Sequence, residues 1–169
     1  ASQRHIEGLV EMLFDANKNY SSELTEERLF GWQAALFPTG YSGLTKIEVG
    51  GWRKTIDPMQ VISGSVGKEV VHYEAPSSKV VVKEMKAFLS WWNSPPEDLD
   101  GLLRAAIAHL WFLTIHPFED GNGRVGRILL NALLVQSGYA PVIYFTDNRY
   151  VADRKIYYTT NKYEAKLNL

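Results

Sequence analysis

The stretch "HPFEDGNGRVGR", His116–Arg127, places one histidine, two acids, two arginines and three glycines within twelve residues. It follows the run "LDGLLRAAIAHLWFLTI", Leu99–Ile115, which is apolar nearly all round, as expected of a central buried helix. It leads into "RVGRILLNALLVQ", Arg124–Gln136, whose apolar residues recur at helical spacing. The sequence therefore predicts two central helices joined by a charged, glycine-rich junction.

The junction has the features of an anion site. Gly121, Asn122 and Gly123 can adopt backbone conformations closed to most residues, which lets successive N–H groups converge on one point. The helix that follows directs its unpaired N–H groups and the positive end of its dipole at the same place. Arg124 and Arg127 lie three residues apart on one helical face and can add forked, charge-assisted hydrogen bonds. Polyphosphate is the ligand that this pattern favours.

Two further side chains of the junction indicate a reaction rather than binding alone. Asp120 would be repelled by phosphate unless a divalent cation bridged them, and Mg²⁺ typically uses one or two carboxylates plus substrate phosphates. His116, with an ordinary pKa of about 6.5, can take a proton from an attacking hydroxyl near neutral pH. Pro117 and Phe118 are expected to fix the turn, with Phe118 anchored in the core. A charged Gly-rich loop alone is equally typical of a solvated turn, but this combination favours function.

The junction resembles the motif of the Fic family, HxFx(D/E)GNGRxxR. The specified positions are matched by His116, Phe118, Asp120, Gly121, Asn122, Gly123, Arg124 and Arg127. On this motif the chain is identified as a member of the family. The resemblance implies the mainly α Fic fold, a helical core with a β-hairpin flap, in a single domain over residues 1–169. It also implies transfer of AMP from ATP to a hydroxyl of a target protein, with release of pyrophosphate.

The same resemblance implies a role for each motif residue, with ATP as the nucleotide and Mg²⁺ as the cofactor. His116 is the general base, Asp120 holds Mg²⁺, and Arg127 holds the γ-phosphate. The residues assigned to catalysis are His116, Asn122 and Arg124. The residues assigned to nucleotide binding are Gly121, Asn122, Gly123, Arg124, Arg127 and Tyr158. Tyr158 belongs to "RKIYY", which resembles the family's downstream arginine and paired tyrosines and is expected to line the adenine pocket.

The beginning of the chain resembles the family's inhibitory helix. Residues 1–16 are expected to form a short amphipathic helix that carries "IEG", and the family pattern (S/T)xxxE(G/N) then places Glu7 against Arg127. Because Arg127 cannot hold a carboxylate and a γ-phosphate at once, this pairing would inhibit productive ATP binding. The chain departs from the pattern where it has Gln3, with Ser2 one residue too early, so the hydroxyl that would brace the helix is absent from its usual position.

The remaining elements are expected to surround the central helices. Thr25 and one of Ser77 and Ser78 are predicted to cap two further helices, and the Tyr-rich C-terminal region is expected to contain one or two more. Residues 59–75, with two β-prone runs around "SGSVG", predict a hairpin that sits where the family's flap lies. An exposed strand edge there could pair with an extended segment of a protein substrate and hold its Ser, Thr or Tyr hydroxyl for attack. Modification of the chain itself and homo-oligomers are further partner hypotheses.

Composition limits the other classes of function. The 169 residues are 46% hydrophobic and 22% charged, typical of a folded domain, and the net charge of -1 offers no general basic field for nucleic acid. Without cysteine there are no disulfides and no thiolate metal sites. The sequence predicts no membrane association, and a cytoplasmic location is expected. The chain begins at Ala1 without Met and is expected to be a piece of a longer protein.

Two alternatives to AMP transfer remain open at this point. One is the reverse chemistry, hydrolytic removal of AMP from a modified protein, in which Glu7 would orient a water molecule. The other is a nucleotide-sensing regulatory or binding module. His109, by contrast, is interpreted as a satisfied histidine of the core rather than a metal ligand, because no HExxH pattern supports zinc.

Overall fold

Five α-helices and two short β-hairpins form the part of the chain that the computed structural model describes, residues 2–56, 59–63 and 70–139. For residues 2–6, 61 and 62 the description covers the backbone alone. The helices are α1 (Ser2–Lys18), α2 (Glu26–Leu36), α3 (Ser78–Asn93), α4 (Gly101–Ile115) and α5 (Asn122–Gln136). The strands are β1 (Tyr41–Ser42), β2 (Thr45–Lys46), β3 (Gln60–Ser63) and β4 (Val70–Glu74). The expected mainly α fold with a hairpin is confirmed.

Three of the helices begin at a polar side chain that caps the first turn. The Thr25 hydroxyl accepts a hydrogen bond from the backbone N–H of Arg28, and Ser77 serves as the cap of α3. The Asp100 carboxylate accepts from the backbone N–H groups of Leu102 and Leu103. Each cap satisfies donors that have no partner within the helix. The predicted caps at Thr25 and Ser77 are therefore confirmed.

The core is centred on α4 and α5, which pack against each other along their length. α3 lies against α4, while α1 and α2 pack together on the α5 side. The largest fully buried side chains include Phe88, Phe112, Phe118 and Leu129. Phe118 contacts Phe112 and Trp52 through tilted ring pairs, with ring centroids 6.2 and 5.2 Å apart. The junction between the central helices is therefore anchored in the core, as its phenylalanine predicted.

α4 differs from its expected burial on all sides. Its buried residues, Ala105, Ala108, Phe112 and Ile115, form one face of the helix. Leu103 and Leu110 on the other side are 53% and 68% exposed. The reason is geometric, because α3 and α5 cover two sides of α4 and no other described element covers the third.

The predicted hairpin is present, and a second one was missed. β3 and β4 pair antiparallel, with a register shift between Val61 and Ile62. β1 and β2 form a second, two-residue pair between α2 and β3, which was not predicted from the sequence. The sequence signal for this second hairpin is weak because each of its strands has only two residues. Its turn depends on Gly43, which adopts the left-handed region at φ 59°.

α1 is fixed to the rest of the domain at several points. The Asp15 carboxylate accepts hydrogen bonds from Arg28 Nε and from the indole N–H of Trp32, both at 2.8 Å. The Asn131 side chain of α5 donates to Asn17 at 2.8 Å. These polar contacts add to the burial of Met12 and Ala16 in the core, and single substitutions can remove them.

At its other end, α1 lies against the last turn of α2. A Cβ at Gly8 would overlap the carbonyl oxygen of Ala35, so only glycine allows the two helices this close. Leu36 and Phe37, the next residues of the chain, line Gly121 at the start of α5. The "IEG" end of α1 therefore lies at the same end of the domain as the charged junction.

None of the described helices is long and apolar enough to cross a membrane. The expectations for "RKIYY", including Tyr157 and Tyr158, and for further C-terminal helices fall outside the described residues.

We predict that Asp15→Asn lowers the free energy of unfolding by about 1.5–3 kcal/mol at neutral pH, because hydrogen bonds to an ionised group are lost. Burial opposes ionisation of Asp15, but hydrogen bonds from Asn19, Arg28 and Trp32 outweigh it, so its pKa lies below the usual 3.8. The stabilisation is thus complete above that value and disappears as the pH falls through the lower pKa of the folded state. Urea denaturation across this pH range measures the effect.

The matched control is Lys54→Met, which removes the exposed ion pair between Lys54 and Glu48. Exposed pairs contribute little, so this variant should unfold within about 0.5 kcal/mol of the unmodified chain. A loss for Asp15→Asn that is no larger than that of the control, or that stays constant into strong acid, would contradict the interpretation.

Candidate active site

The two central helices meet at a tight junction with two left-handed residues. His116 caps the C-terminus of α4 with φ 51° and ψ 58°, and it is the one non-glycine residue of positive φ among the described residues. Gly121 precedes α5 with φ 93°. The left-handed conformation costs a side-chain-bearing residue roughly 1 kcal/mol. This strained turn places the histidine beside the beginning of the next helix.

The N-terminus of α5 is left open for a ligand. Gly121 supplies no capping side chain, and the first helical bond within α5 runs from Val125 N–H to the Gly121 carbonyl. The N–H groups of Asn122, Gly123 and Arg124 therefore have no acceptor one turn back, and they point out of the helix end. The backbone differs from the expected three-residue nest: only Gly121 is left-handed, and Asn122 and Gly123 belong to the first helical turn.

The Asn122 side chain serves the junction itself. It is 2% exposed, its Oδ1 accepts from the Phe118 backbone N–H at 2.9 Å, and its Nδ2 donates to the Phe118 carbonyl at 2.7 Å. Both ends of the amide are thus used to close the loop. Asn122 was assigned to catalysis and to nucleotide binding, but only its backbone N–H is available to a ligand.

Asp120 lies at the edge of the open helix end. Its Oδ1 accepts from the Gly121 N–H at 2.5 Å and lies 3.7 Å from Arg124 Nη2, while its Oδ2 accepts from the hydroxyl of Ser42. Sequence reasoning missed Ser42, which reaches the site only because the β1–β2 hairpin folds over the junction. The carboxylate is held in place and remains 41% exposed.

A magnesium ion fits this position only together with a phosphate ligand. No group of three or more His, Cys, Asp or Glu side chains within the described ranges could hold a metal. One partly exposed carboxylate beside an anion site is, however, the arrangement that Mg²⁺ uses when substrate phosphates supply further ligands. Asp120 is therefore suited to a cation that arrives with a nucleotide.

The two arginines make the site strongly positive. The Arg124 guanidinium stacks over Phe37 with its carbon 4.7 Å from the ring centroid. Burial, and then the charge of Arg124, lower the pKa of Arg127. Both lie next to the positive end of the α5 dipole, so a cluster of cations is assembled where each one opposes the others. An anionic ligand would relieve this repulsion.

The expected pairing of Glu7 with Arg127 is not formed. Glu7 is exposed on α1, and the ion pairs among the described residues do not include either side chain. Arg127 instead lies over Gly123, where a Cβ would be 3.5 Å from its Nη1. The cationic face of α5 is thus without a carboxylate from α1.

The His116 ring is prepared to accept a proton at Nε2. Its Nδ1 lies 3.3 Å from the Leu113 carbonyl, an oxygen that can only accept, so Nδ1 carries the proton of the neutral ring. Burial lowers the pKa of His116; the Leu113 bond and Asp120 raise it, Arg53 lowers it, and the net shift is downward. The neutral ring with a free Nε2 lone pair therefore dominates at neutral pH.

His109 is the satisfied core histidine that its position predicted. Its Nδ1 lies 2.9 Å from the Gly126 carbonyl across the α4–α5 contact. A Cβ at Gly126 would come within 3.4 Å of this ring and 3.2 Å of Leu113, which explains a glycine inside α5. The ring thus helps to join the helices and takes no part in the site.

The model of the Fic/DOC family matches residues 23–134. The chain is 40% identical over 74 residues to protein adenylyltransferase fic-1 of Caenorhabditis elegans, which covers 43% of this chain and 15% of that protein. It is 45% identical over 69 residues to protein adenylyltransferase Fic of Nematostella vectensis, covering 40% of this chain and 16% of the relative. The chain thus spans only a small part of the length of the curated relatives it matches.

The fold is similar to that of a Fic domain containing signaling protein from Bacteroides thetaiotaomicron. The TM-score is 0.66 at 26% identity, over 84% of this chain and 50% of that one. The fold therefore has a counterpart among solved structures.

We predict that Asn122→Ala lowers the free energy of unfolding by about 1–3 kcal/mol and weakens ATP binding, because the loop that shapes the helix end loses its closure. Asn93→Ala is the matched control, since Asn93 makes the same pair of bonds with the backbone N–H and carbonyl of Leu24, away from the site. Chemical denaturation and calorimetric titration with ATP measure the two effects. Equal ATP affinity in the two variants would contradict this role of Asn122.

Proposed function

The chain belongs to the Fic/DOC family, and from that premise we propose that it transfers AMP from ATP to a hydroxyl group of a target protein. One observation carries the proposal: His116, in its neutral form, lies at the end of α4 beside the open N-terminus of α5. A general base and a polyphosphate site are thereby combined in one junction. The curated relatives are named protein adenylyltransferases, which supports the same chemistry.

The reaction follows from the order of the groups around the junction. The target hydroxyl oxygen attacks the α-phosphorus of ATP and forms a new P–O bond, while the bond from that phosphorus to the bridging oxygen breaks. Pyrophosphate leaves, and the hydroxyl proton goes to Nε2 of His116. The N–H groups of the first α5 turn stabilise the phosphate oxygens as negative charge shifts during attack. Arg124 binds phosphate, and Arg127 holds the γ-phosphate.

A magnesium ion would be held by Asp120 together with phosphate oxygens, and it would neutralise charge on the leaving pyrophosphate when bound. The hydrogen bonds from Gly121 and Ser42 fix the carboxylate that receives it. Asp120 also balances the charge of Arg124, 3.7 Å away, before ATP is present.

The flap formed by β3 and β4 is suited to hold the target. Its strand β4 exposes Val70 and Val71, which are 56% and 50% exposed, on a two-stranded sheet. An extended segment of the target can add to a free strand edge through main-chain hydrogen bonds. This docking would present a Ser, Thr or Tyr hydroxyl toward His116 without requiring a particular sequence along the whole segment.

Inhibition by α1 is the regulatory part of the proposal. The contact of Gly8 with Ala35 brings Glu7 to the end of the domain where α5 begins. A rotamer change and a small shift of α1 would allow the carboxylate to occupy the place of the γ-phosphate on Arg127. The inhibited and open arrangements then differ by one charge-assisted contact.

The first test compares α-³²P-ATP and γ-³²P-ATP as donors to proteins of a cell lysate, with Mg²⁺, in the Glu7→Gly chain so that the proposed inhibition does not mask transfer. We expect protein labelling from the α label alone, and its loss in His116→Ala. Labelling from the γ-phosphate would indicate a kinase. No labelling from either donor, or full labelling by His116→Ala, would overturn the proposed function.

The second test is the dependence of transfer on pH. A general base works without its proton, so the rate falls as the pH drops through the pKa of His116. Since burial lowers that pKa, the midpoint of the acid limb should lie below 6.5. Initial rates of α labelling across the acid range measure it, and a midpoint above that value would contradict the assignment.

The third test concerns Glu7. Glu7→Gly should raise transfer on the order of tenfold or more, because a charge-assisted contact of about 1.5–3 kcal/mol no longer competes with ATP. Glu11→Gly is the control, since it places the same residue at an exposed position one turn further along α1. Equal rates in the two variants would show that loosening of the helix, not the Glu7 carboxylate, is responsible.

A further inference from the structure

Arg53 is a buried cation at the base of the flap. It lies between β2 and β3 and is only 2% exposed. Burial lowers its pKa below the ordinary value for arginine, which reflects the cost of removing a charge from water. Within the described ranges, no carboxylate lies within ion-pair distance of it. The free-energy cost of burying this charge suggests that Arg53 has a role beyond packing.

The Arg53 side chain donates to backbone carbonyls at the end of α4. Its Nε donates to the His116 carbonyl at 2.7 Å, and its Nη2 donates to the Ile115 carbonyl at 3.4 Å. The Nη2 group also donates to the Pro76 carbonyl, just after β4. The backbone N–H of Arg53 donates to the Pro117 carbonyl at 2.9 Å. One residue thus contacts three successive residues of the strained turn.

These contacts place a positive charge at the negative end of the α4 dipole. The last carbonyls of a helix have no partner within it and form the negative end of its dipole, where a cation is favourable. The left-handed backbone of His116 stays populated only if its surroundings hold it there. Arg53 supplies both the charge and the fork of donors, while its Nη1 is buried without a partner among the described residues.

A second contact attaches the other side of the flap to the same turn. The Tyr73 hydroxyl, on β4, donates to the Thr114 carbonyl at 2.6 Å. Arg53 precedes the flap in the chain and Tyr73 lies in its second strand. The backbone just before the catalytic histidine is therefore joined to the segment that precedes the hairpin and to the second strand of the hairpin.

We propose that Arg53 is a positioning residue for AMP transfer, which fixes the main chain of His116 and joins the base of the flap to the catalytic turn. The inference rests on the proposed function of His116 as the base. Arg53 does not reach the nucleotide; it determines where Nε2 lies relative to a hydroxyl that the flap presents. Its loss should therefore slow the chemical step and leave ATP binding in place.

Arg104 provides a matched control at the opposite end of α4. Burial lowers the pKa of Arg104 as well. Its Nη2 donates a hydrogen bond to the backbone carbonyl of Trp92 at 2.7 Å. Its Nε is buried without a partner among the described residues. It lies far from the junction along the helix. A loss of activity in the variants of both arginines would indicate a structural role. A loss of activity confined to the Arg53 variant would indicate that Arg53 positions His116.

The experiment uses the Glu7→Gly chain with Mg²⁺, ATP and a fixed amount of cell lysate as acceptor. Arg53→Lys, Arg104→Lys and His116→Ala are compared for kcat, KM for ATP and thermal unfolding. We expect Arg53→Lys to lower kcat about tenfold or more, with KM for ATP within about twofold, since small displacements of a reacting group are costly. Arg104→Lys should lose comparable thermal stability and keep its kcat.

A readout that needs no turnover accompanies the kinetics. In ¹⁵N-histidine NMR, the ring signals of His116 are assigned by their absence in His116→Ala. In Arg53→Lys we expect a mixture of tautomers in place of the single Nδ1–H form. In Arg104→Lys the Nδ1–H form should be unchanged. If His116→Ala is active, the proposed function fails. If His116→Ala is inactive while Arg53→Lys matches Arg104→Lys in kcat and tautomer, the inference about Arg53 alone is overturned.

Discussion

The structure depends on the turn that reverses the chain between α4 and α5. A C-terminal helix end carries partial negative charge and an N-terminal end carries partial positive charge, and this turn places them side by side. The Asn122 side chain closes it through both bonds to Phe118, whose ring is buried in the core. The proposed phosphate binding and proton transfer would need these two helix ends together. The turn is therefore a structural element and, in the proposed function, the centre of the site.

The charges around this turn are arranged at a cost to stability. Arg124 and Arg127 crowd the positive end of α5, and His116 adopts a left-handed backbone. Arg53 is buried, and none of the described carboxylates forms an ion pair with it. Each of these features would be selected against in a domain optimised for stability alone. A bound polyanion would offset the repulsion between Arg124 and Arg127, and the contacts of Arg53 stabilise the left-handed backbone of His116.

Much of this could be predicted from the sequence because the relevant signals are local. Helical periodicity and caps such as Thr25 and Ser77 specify the elements, and the glycine at position 121 together with two arginines predicts an anion site. Because these sequence signals are local, they do not predict contacts that depend on where other residues lie in the fold. The use of the Asn122 side chain to close the loop depends on the position of Phe118, which periodicity does not reveal.

The contacts that the sequence did not predict are those between distant segments. Ser42 meets Asp120 across 78 positions of the chain, and Arg53 meets the His116 carbonyl across 63. No spacing rule connects such residues; only the folded path of the loops 37–56 brings them to the junction. A buried arginine flanked by "GW" and "KT" has the sequence pattern of an ordinary exposed loop.

The most direct measurement is a crystal structure of the chain carrying both Glu7→Gly and His116→Ala, with Mg²⁺ and ATP, so that Glu7 cannot disturb the position of the nucleotide. We expect the polyphosphate on the N–H groups of Asn122, Gly123 and Arg124, with the α-phosphorus facing the vacated side-chain position of residue 116. ATP bound away from the beginning of α5, or with its α-phosphate turned from that position, would contradict it.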